Sequence, residues 1–213
     1  MIDWVTVATL ATAIGTLVLA FATYGSVRAA NRSAAVSERA LLTDNRPLLI
    51  NSHMYDPTDK IRFRENRWVK VAGGHAYVNA TKDVIYFVIS LRNAGRGLAV
   101  LDQWSVLIGV TSANEPPNRS THYRRLTRDL YIPASDIGLW QGAIREKDDP
   151  QFKKAAKAIK NQETLLIDIE YSDQDGGQRT VSRFALSYHE EGDWLTSAVR
   201  HWRIDGTNPR GAA

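Results

Sequence analysis

The sequence predicts a mainly β protein, an antiparallel immunoglobulin-like sandwich with one inserted helix, preceded by a long N-terminal transmembrane and stalk helix. Three observations predict this class. No charged residue occurs between Asp3 and Arg28. After Pro47 the apolar residues alternate with period two and are rich in β-branched types, and Gly, Asn and Asp separate the successive short runs. Many short strands joined by such turns are typical of sandwiches.

The first element is the uncharged run from Trp4 to Val27. As a helix it spans roughly 36 Å, enough for a hydrocarbon core of about 30 Å with some tilt. Trp4 and Tyr24 stand near its ends, where aromatic rings prefer the membrane interface. A cleaved signal peptide would need positive charge before the run, yet Asp3 stands there. A buried core helix is the other alternative, but such a run is rare in a domain of this size. Residues 1–27 are therefore predicted to cross the membrane.

The orientation rests on three arginines, Arg28, Arg32 and Arg39, that follow the run. Because basic residues favour the cytoplasmic side, the sequence predicts a single-pass protein of the plasma (inner) membrane. Its N-terminus is outside and its β domain is cytoplasmic. The lipid bilayer is thus the first predicted partner, and the three arginines are candidates for contact with lipid headgroups or an anionic ligand.

Small residues recur four apart within the span, and such spacing lets two transmembrane helices approach closely. They are Ala11, Thr12, Gly15, Thr16 and Ala20. The sequence therefore predicts a homo-oligomer formed through this helix. The alternative is that an Ala- and Thr-rich segment produces this spacing by composition alone.

Residues 28–45 are predicted to continue as a juxtamembrane stalk helix, because they are Ala-rich and lack Gly and Pro. Val27, Ala34 and Leu41 lie seven apart, which fits a short coiled coil, a face resting on the domain or a stalk without a partner. Pro47 disfavours helix at the residue before it. The β domain is then predicted over residues 46–205, with a C-terminal tail at 206–213.

Within the β domain one segment, residues 149–160, has a helical pattern, with Asp149 as the cap and Pro150 in the first turn. Three glycine-containing segments predict turns: a tight hairpin at 73–74, a turn between two strong strands at 93–97 and a hairpin loop at 173–177. The predicted strands are Leu48–His53, Arg67–Ala72, His75–Asn79, Val84–Arg92, Ala99–Val110, Thr127–Pro133, Leu165–Tyr171, Arg179–Ser187 and Trp194–Arg203.

This layout resembles a group of uncharacterised bacterial, actinobacterial-type single-pass membrane proteins with an N-terminal transmembrane helix and a C-terminal β domain. The resemblance is carried by Arg46-Pro47-Leu48-Leu49, by the Leu-x-Asn-x-Gly-x-Gly turn at residues 91–97 and by the stretch 176–184. These are short turn signals spread in order over most of the chain. They imply the fold, and no activity or functional residue is carried over from the group.

The residue types exclude several chemistries. The 213 residues include no cysteine, which excludes disulfides, thiolate metal sites and cysteine nucleophiles. Phosphate-loop, nucleophile-elbow and zinc-protease motifs are absent. Residues 173–176 resemble a calcium loop, but the glycine comes too early and Phe184 occupies the position of the bidentate glutamate. None of the five histidines has a metal partner at ligand spacing, so no cofactor or metal is predicted; they are His53, His75, His122, His189 and His201.

Two basic clusters are the remaining candidates for a site, in a chain whose formal net charge is +4. The first contains Arg124, Arg125 and Arg128, and the second contains Arg200 and Arg203. With the lysines of the predicted helix they could contact phosphates, lipid headgroups or another anionic ligand. The alternative is a solvated basic face, with arginines paired to acids such as Asp129 and Asp205.

Three hypotheses of function follow. The first is a membrane-tethered, non-enzymatic binding or scaffold module for an unidentified protein partner, favoured by the lack of a catalytic motif. The second is a ligand-gated membrane effector of the defence type that senses an anionic ligand such as a nucleotide. The third is an enzyme whose site is assembled from distant residues. Nucleic acid is not expected as a partner, since a charge of +4 is a mild bias.

Overall fold

A computed structural model of the chain describes residues 3–109, 114–118 and 123–205. The chain divides into two compact units, Met1–Thr43 and Asp44–Ala213. The predicted tail at 206–213 lies outside the described residues.

The first unit consists of one helix, α1 (Trp4–Asp44). It passes without interruption through the predicted boundary at residue 27. The stretch Val7–Glu38 has a mean hydropathy of 1.8 in its most apolar window, and none of that window is buried. The helix is therefore long and apolar enough to span a membrane. Its orientation and the kind of membrane stay predictions.

The small residues of the predicted contact face, Ala11, Thr12, Gly15, Thr16 and Ala20, are all exposed on α1. The Thr12 hydroxyl donates to the Ala8 carbonyl at 2.9 Å, and the Thr16 hydroxyl donates to the Thr12 carbonyl at 2.8 Å. Both hydroxyls are thus satisfied within the helix, as threonines in apolar helices commonly are. Self-association through this face stays a prediction, and it would depend on close packing rather than on these hydroxyl groups.

The second unit contains the β structure and one further α-helix, α2 (Pro150–Lys160). The Asp149 carboxylate accepts a hydrogen bond of 2.8 Å from the Gln151 backbone N–H and caps α2, as the sequence predicts. The strands are β1 (Leu49–Asn51), β2 (Asp59–Arg62), β3 (Trp68–Val71), β4 (His75–Ala80), β5 (Ile85–Asn93), β6 (Ala99–Leu107), β7 (Arg124–Ile132), β8 (Ile137–Ile144), β9 (Leu165–Ser172), β10 (Thr180–Tyr188) and β11 (Trp194–Arg203).

The strands form one antiparallel nine-stranded sheet, curled into a half-barrel, and a separate β2–β3 hairpin. Strand β5 pairs with β8 on one edge and with β4 and β1 on the other. Strand β4 then meets β11 through two residue pairs only, after which β10, β9, β6 and β7 follow. The prediction of a mainly β domain is confirmed, whereas an immunoglobulin-like arrangement is not.

The two arms of the curled sheet enclose the main core. Trp104 on β6 contacts Phe87 on β5 and Trp140 on β8 edge to face, with ring centroids 5.9 and 5.3 Å apart. Helix α2 adds Phe152 and Ala155 to the same core. A smaller cluster joins the β2–β3 hairpin to the outer face of β5 and β8. Its buried members are Phe63, Val69, Val71, Tyr86, Val88 and Leu139.

The local structure departs from the predictions at four points. Strands β2 and β8 were not predicted, and β7 begins at Arg124 rather than at Thr127. Glycines at positions 138 and 142 hid the strand pattern of β8, since glycine weakens a strand signal. A turn does form at Gly73-Gly74, but it connects β3 and β4, which belong to different sheets and do not form a hairpin.

Asn93, at the end of β5, fastens three segments together. It is fully buried. Its side-chain oxygen accepts hydrogen bonds from the backbone N–H groups of Leu48 (3.1 Å) and Gly95 (3.0 Å). Its side-chain nitrogen donates to the carbonyls of Gly97 (2.7 Å) and Ile132 (3.0 Å). The amide thus uses its full hydrogen-bonding capacity.

The glycines of this turn are required by close approach of the backbone. A Cβ added at Gly95 would overlap the backbone of Arg46 and Leu48, and one at Gly97 would overlap the carbonyl of Asn45. The Arg-Pro segment and the Asn-x-Gly-x-Gly turn are therefore two halves of one contact, where the chain enters the β domain.

We expect Asn93→Asp to destabilise the β domain by about 3 kcal/mol, because a carboxylate would face two carbonyl oxygens and leave them unpaired in the interior. Denaturant unfolding of the full chain in detergent, followed by near-UV circular dichroism, measures this loss. Asn66→Asp, in an exposed turn, is the matched control and should change stability by less than about 0.5 kcal/mol. Equal stability of the two variants would contradict the role given to Asn93.

Candidate functional site

Strands β7 and β8 are consecutive in the chain, yet among the described residues they share no pairing. A turn at residues 133–136 joins the end of β7 to the start of β8. Beside this turn, a Cβ on Gly138 would come within 2.9 Å of the Ile132 side chain. Beyond that point they diverge. Within the described part of the chain, β7 pairs with β6 alone and β8 pairs with β5 alone. The facing edges of β7 and β8 therefore bound an open wedge, called here the seam cleft.

An irregularity in β7 accounts for the divergence. Opposite β6, the register of β7 moves from Leu130 against Leu101 to Arg125 against Gln103. The stretch 126–129 is thereby left out of the ladder with β6, and a bulge of this kind bends its strand and redirects side chains. Arg128 lies in the bulge and reaches β8. With the Gln141 amide turned so that its oxygen faces Arg128, that oxygen accepts hydrogen bonds of 2.7 and 3.1 Å from the guanidinium.

The seam cleft has a volume of about 410 Å³, within the usual range for ligand sites. Trp104 lies at its floor beside Gly142. A Cβ on Gly142 would come within 2.7 Å of the Trp140 ring and 2.9 Å of the Trp104 ring, so only glycine fits there. The lining residues are Phe63, Trp104, Tyr123, Arg124, Arg125, Leu126, Gln141, Gly142, Ala143, Ile144, Arg145, Glu146 and Asp149.

Arg124 joins the cleft wall to α2. Its guanidinium lies over the Trp104 ring, 5.2 Å from the centroid, donates to the Gln151 side chain at 2.8 Å and forms an ion pair with Asp149. The two charged side chains are only 20% and 13% exposed. Since Asp149 also caps α2, this ion pair holds the start of the helix at the wide end of the cleft.

Arg145 and Arg125 provide the other two guanidinium groups of the lining. Arg145 donates to both carboxylate oxygens of Glu65, at 2.7 and 3.4 Å. That hydrogen bonding lowers the pKa of Glu65, against a smaller opposing effect of burial, and keeps this carboxylate ionised. Arg125 is exposed at the cleft mouth.

A buried polar cluster adjoins the cleft through Tyr123. Arg183 and Asp168 are 2% and 1% exposed and form a two-pronged ion pair, with distances of 2.6 and 2.8 Å. The Tyr123 hydroxyl donates to Asp168 at 3.3 Å. Burial first, and then the charge of Asp168, raise the pKa of Tyr123, so its hydroxyl stays protonated. Arg183 also lies over Trp202, 4.7 Å from the ring centroid. This cluster positions Tyr123 at the edge of the cleft.

The structure separates the predicted site residues into groups. Arg124, Arg125 and Arg128 lie along the seam cleft. Arg200 and Arg203 lie elsewhere, on β11, with Arg200 over Trp202 at 5.8 Å. Burial, and next the positive charge of Arg203, lower the pKa of Arg46. Arg203 therefore lies near Arg46, at the place where the chain enters the β domain.

Arg28 and Arg32 are exposed on α1. His122 and the side chains of Arg39 and Asp129 lie outside the described part of the chain. Asp205, predicted as a partner for the second cluster, pairs with Arg179 at 2.5 Å.

Sequence reasoning missed half of the cleft, namely the β8 residues, Arg145 and the Arg124–Asp149 ion pair. The available signal was a run of apolar residues, Ile137, Leu139 and Trp140, directly after the Pro133–Asp136 turn. The ion pair joins residues 25 positions apart, and no local pattern encodes it. No cluster of metal-ligating side chains is present among the described residues.

Comparison with known proteins gives no function. No protein-family model matches the chain, and no curated protein matches it. Several solved structures show a weak likeness, of which two are described. One, titled as the crystal structure of a protein from Archaeoglobus fulgidus, is 10% identical over 62% of this chain and 94% of its own, with a TM-score of 0.25. The other, an X-ray structure of a Northeast Structural Genomics Consortium target, is 9% identical over 76% of this chain and 88% of its own, with a TM-score of 0.23. The resemblance to actinobacterial-type membrane proteins stays a prediction.

We expect Asp168→Ala to destabilise the β domain by about 3–5 kcal/mol, because it leaves the Arg183 charge buried without its partner. The double variant Asp168→Leu with Arg183→Met should recover most of that loss, since no unpaired charge remains. Denaturant unfolding measures both. The half-exposed pair of Arg179 and Asp205 is the control, and Asp205→Ala should cost about 1 kcal/mol or less. A double variant as unstable as Asp168→Ala would refute this account of the cluster.

Proposed function

We propose that this protein is a membrane-tethered, non-enzymatic binding module that takes an anionic ligand in the seam cleft. One observation carries the proposal: in the described ranges, two neighbouring strand edges are left unpaired, and the gap between them is lined by arginines. A strand edge without a partner leaves backbone N–H and C=O groups without hydrogen bonds in the sheet. Proteins use such an open edge as a binding surface. The single helix α1 provides the tether.

The charges of the cleft favour an anion by a small margin. Four guanidinium groups stand in or beside it, those of Arg124, Arg125, Arg128 and Arg145, against three carboxylates, those of Glu65, Glu146 and Asp149. Arg124 and Arg145 are already paired with carboxylates, whereas Arg125 and Arg128 are exposed, and of these two Arg125 belongs to the lining of the cleft. Charged groups at a rim contribute chiefly to on-rate and to choice of partner.

The state of the carboxylates favours binding over catalysis. Asp149 is held by Arg124 and by the α2 N-terminus, and Glu65 is held ionised by Arg145. A general acid needs a raised pKa near the working pH, and the hydrogen bonds from Arg145 lower the pKa of Glu65 instead.

Two finer points belong to the proposal. The contact of Trp104 with Phe87 and Trp140 across the two arms supports an immunoglobulin-like sandwich as the description of the fold.

The exposed small residues of α1, Gly15 among them, support the second candidate function, a ligand-gated effector whose helices assemble. Light scattering of the full chain in detergent tests that candidate, because its mass should grow when a bound ligand is added.

We expect the full chain in lipid nanodiscs to bind at least one anion from a panel of inorganic phosphate, nucleotides and short acidic peptides. Isothermal titration calorimetry measures the affinity. Arg125→Glu should weaken binding at least tenfold, because it reverses the accessible charge at the mouth of the cleft.

Lys157→Glu carries the same change of charge at an exposed position on α2 outside the lining and serves as the matched control. Equal weakening by the two variants would place the site elsewhere, and absence of saturable binding to every member of the panel would refute the proposal.

The proposed orientation can be tested with single cysteines, because the chain has none. Ser187→Cys places a thiol on an exposed position of β10. In intact cells a membrane-impermeant maleimide should leave this thiol unlabelled, and it should label the thiol after the cells are broken. Labelling of intact cells would put the β domain outside.

A further inference from the structure

The edge of β8 that faces away from β5 has no strand partner among the residues that the structure describes, and it presents a defined set of backbone groups. At the end of β5, the Asn93 N–H donates to the Asp136 carbonyl at 2.9 Å, and its carbonyl accepts from Ser135 N–H at 3.0 Å. Because hydrogen bonding alternates along an antiparallel strand, Gly138, Trp140, Gly142 and Ile144 direct their backbone groups to β5. The peptide groups of Leu139, Gln141 and Ala143 therefore point into the seam cleft.

This edge lacks the usual protection against strand addition. Edge strands are commonly blocked by charged side chains, by proline or by bulges. Strand β8, Ile137–Ile144, contains no charged residue and no proline, and its pairing with β5 runs without a register shift. The bulge lies instead in β7, the strand across the cleft. Among the described residues, no strand other than β5 thus pairs with the C-terminal half of β8, and Gln141, Gly142, Ala143 and Ile144 line the cleft there.

The side chains around this edge define the ligand that would fit. The edges of Phe63 and Trp104 give the cleft an apolar surface, while Arg125 stands at its mouth and Arg128 at its narrow end. An extended chain that alternates apolar and acidic side chains matches both features, because successive side chains of a strand point to opposite faces. Its backbone supplies the hydrogen bonds that β8 lacks, and its side chains supply the selectivity.

We infer that the seam cleft binds an extended, acidic peptide segment of a partner protein, which adds to β8 as a further strand. The inference rests on the proposed binding function and names its ligand class. Small anions and a second copy of this chain are the competing occupants, and the experiment separates them.

The test uses an octapeptide of alternating leucine and glutamate, labelled for fluorescence anisotropy, with the full chain in nanodiscs. Two derivatives carry N-methyl groups, one on all leucine amides and the other on all glutamate amides. In a strand, all residues of one parity direct their N–H groups to the same side. We expect one derivative to bind at least tenfold more weakly than the parent, and the other to stay within threefold of it. If both derivatives bind as tightly as the parent, or if both lose binding equally, the peptide does not add to the single edge of β8.

The protein side of the contact is tested with Ala143→Pro, which removes a backbone N–H that points into the cleft and not to β5. It should weaken the parent peptide at least tenfold, whereas Ala143→Ser, which keeps the N–H, should leave the affinity within threefold. If Ala143→Pro does not fold, as judged by near-UV circular dichroism, the comparison of the two N-methylated peptides still decides the matter.

The remaining outcomes distinguish this inference from the proposed function. Binding of phosphate or a nucleotide that depends on Arg125, without binding of the peptide, would overturn the inference and leave the binding function intact. Self-association of the peptide-free chain that Ala143→Pro abolishes would assign the edge to a second copy and also overturn it. Failure of every anion to bind would remove both.

Discussion

The β domain depends on the buried amide of Asn93. Its four side-chain hydrogen bonds join the segment that enters the domain, the turn that leaves β5 and the last residue of β7. Its backbone then bonds the turn between β7 and β8. A buried side-chain amide needs partners for its two N–H donors and for the two lone pairs of its oxygen. Few arrangements of three chain segments can supply all four partners. Satisfying one side chain therefore fixes where the chain enters and where the seam begins.

The seam cleft follows from that constraint. At Asn93 the ends of β7 and β8 are held together, but farther along the bulge in β7 takes its backbone away from the edge of β8. Trp104 and Trp140 fill the space behind the opening, and Gly142 lets them do so without a clash. The half-barrel thus stays open along the line where β7 turns away from β8, with the Trp104 ring at the floor of the gap.

Most of the charge around the cleft is structural. The ion pair of Arg124 and Asp149 ties β7 to α2, and that of Arg145 and Glu65 ties β8 to the β2–β3 hairpin. On the other side of Tyr123, the buried pair of Arg183 and Asp168 fixes the start of β7 against the sheet. These pairs hold the walls in place, so a ligand would meet a preformed edge. Preorganisation of this kind lowers the entropic cost of binding.

The sequence by itself determined the helix that can span a membrane, the change to period-two alternation after Pro47, most of the strands, and α2 with its Asp149 cap. These features depend on neighbouring residues: an uncharged run, an alternation or a cap is read within one turn or one strand. It also marked Arg124, Arg125 and Arg128 as a group. Only the tertiary structure decided the curl of the sheet, the strand β8 with its two glycines and the assignment of Arg124 to Asp149. Each of these arises from packing between distant segments, where a tryptophan ring or a buried amide selects one arrangement that no local pattern specifies.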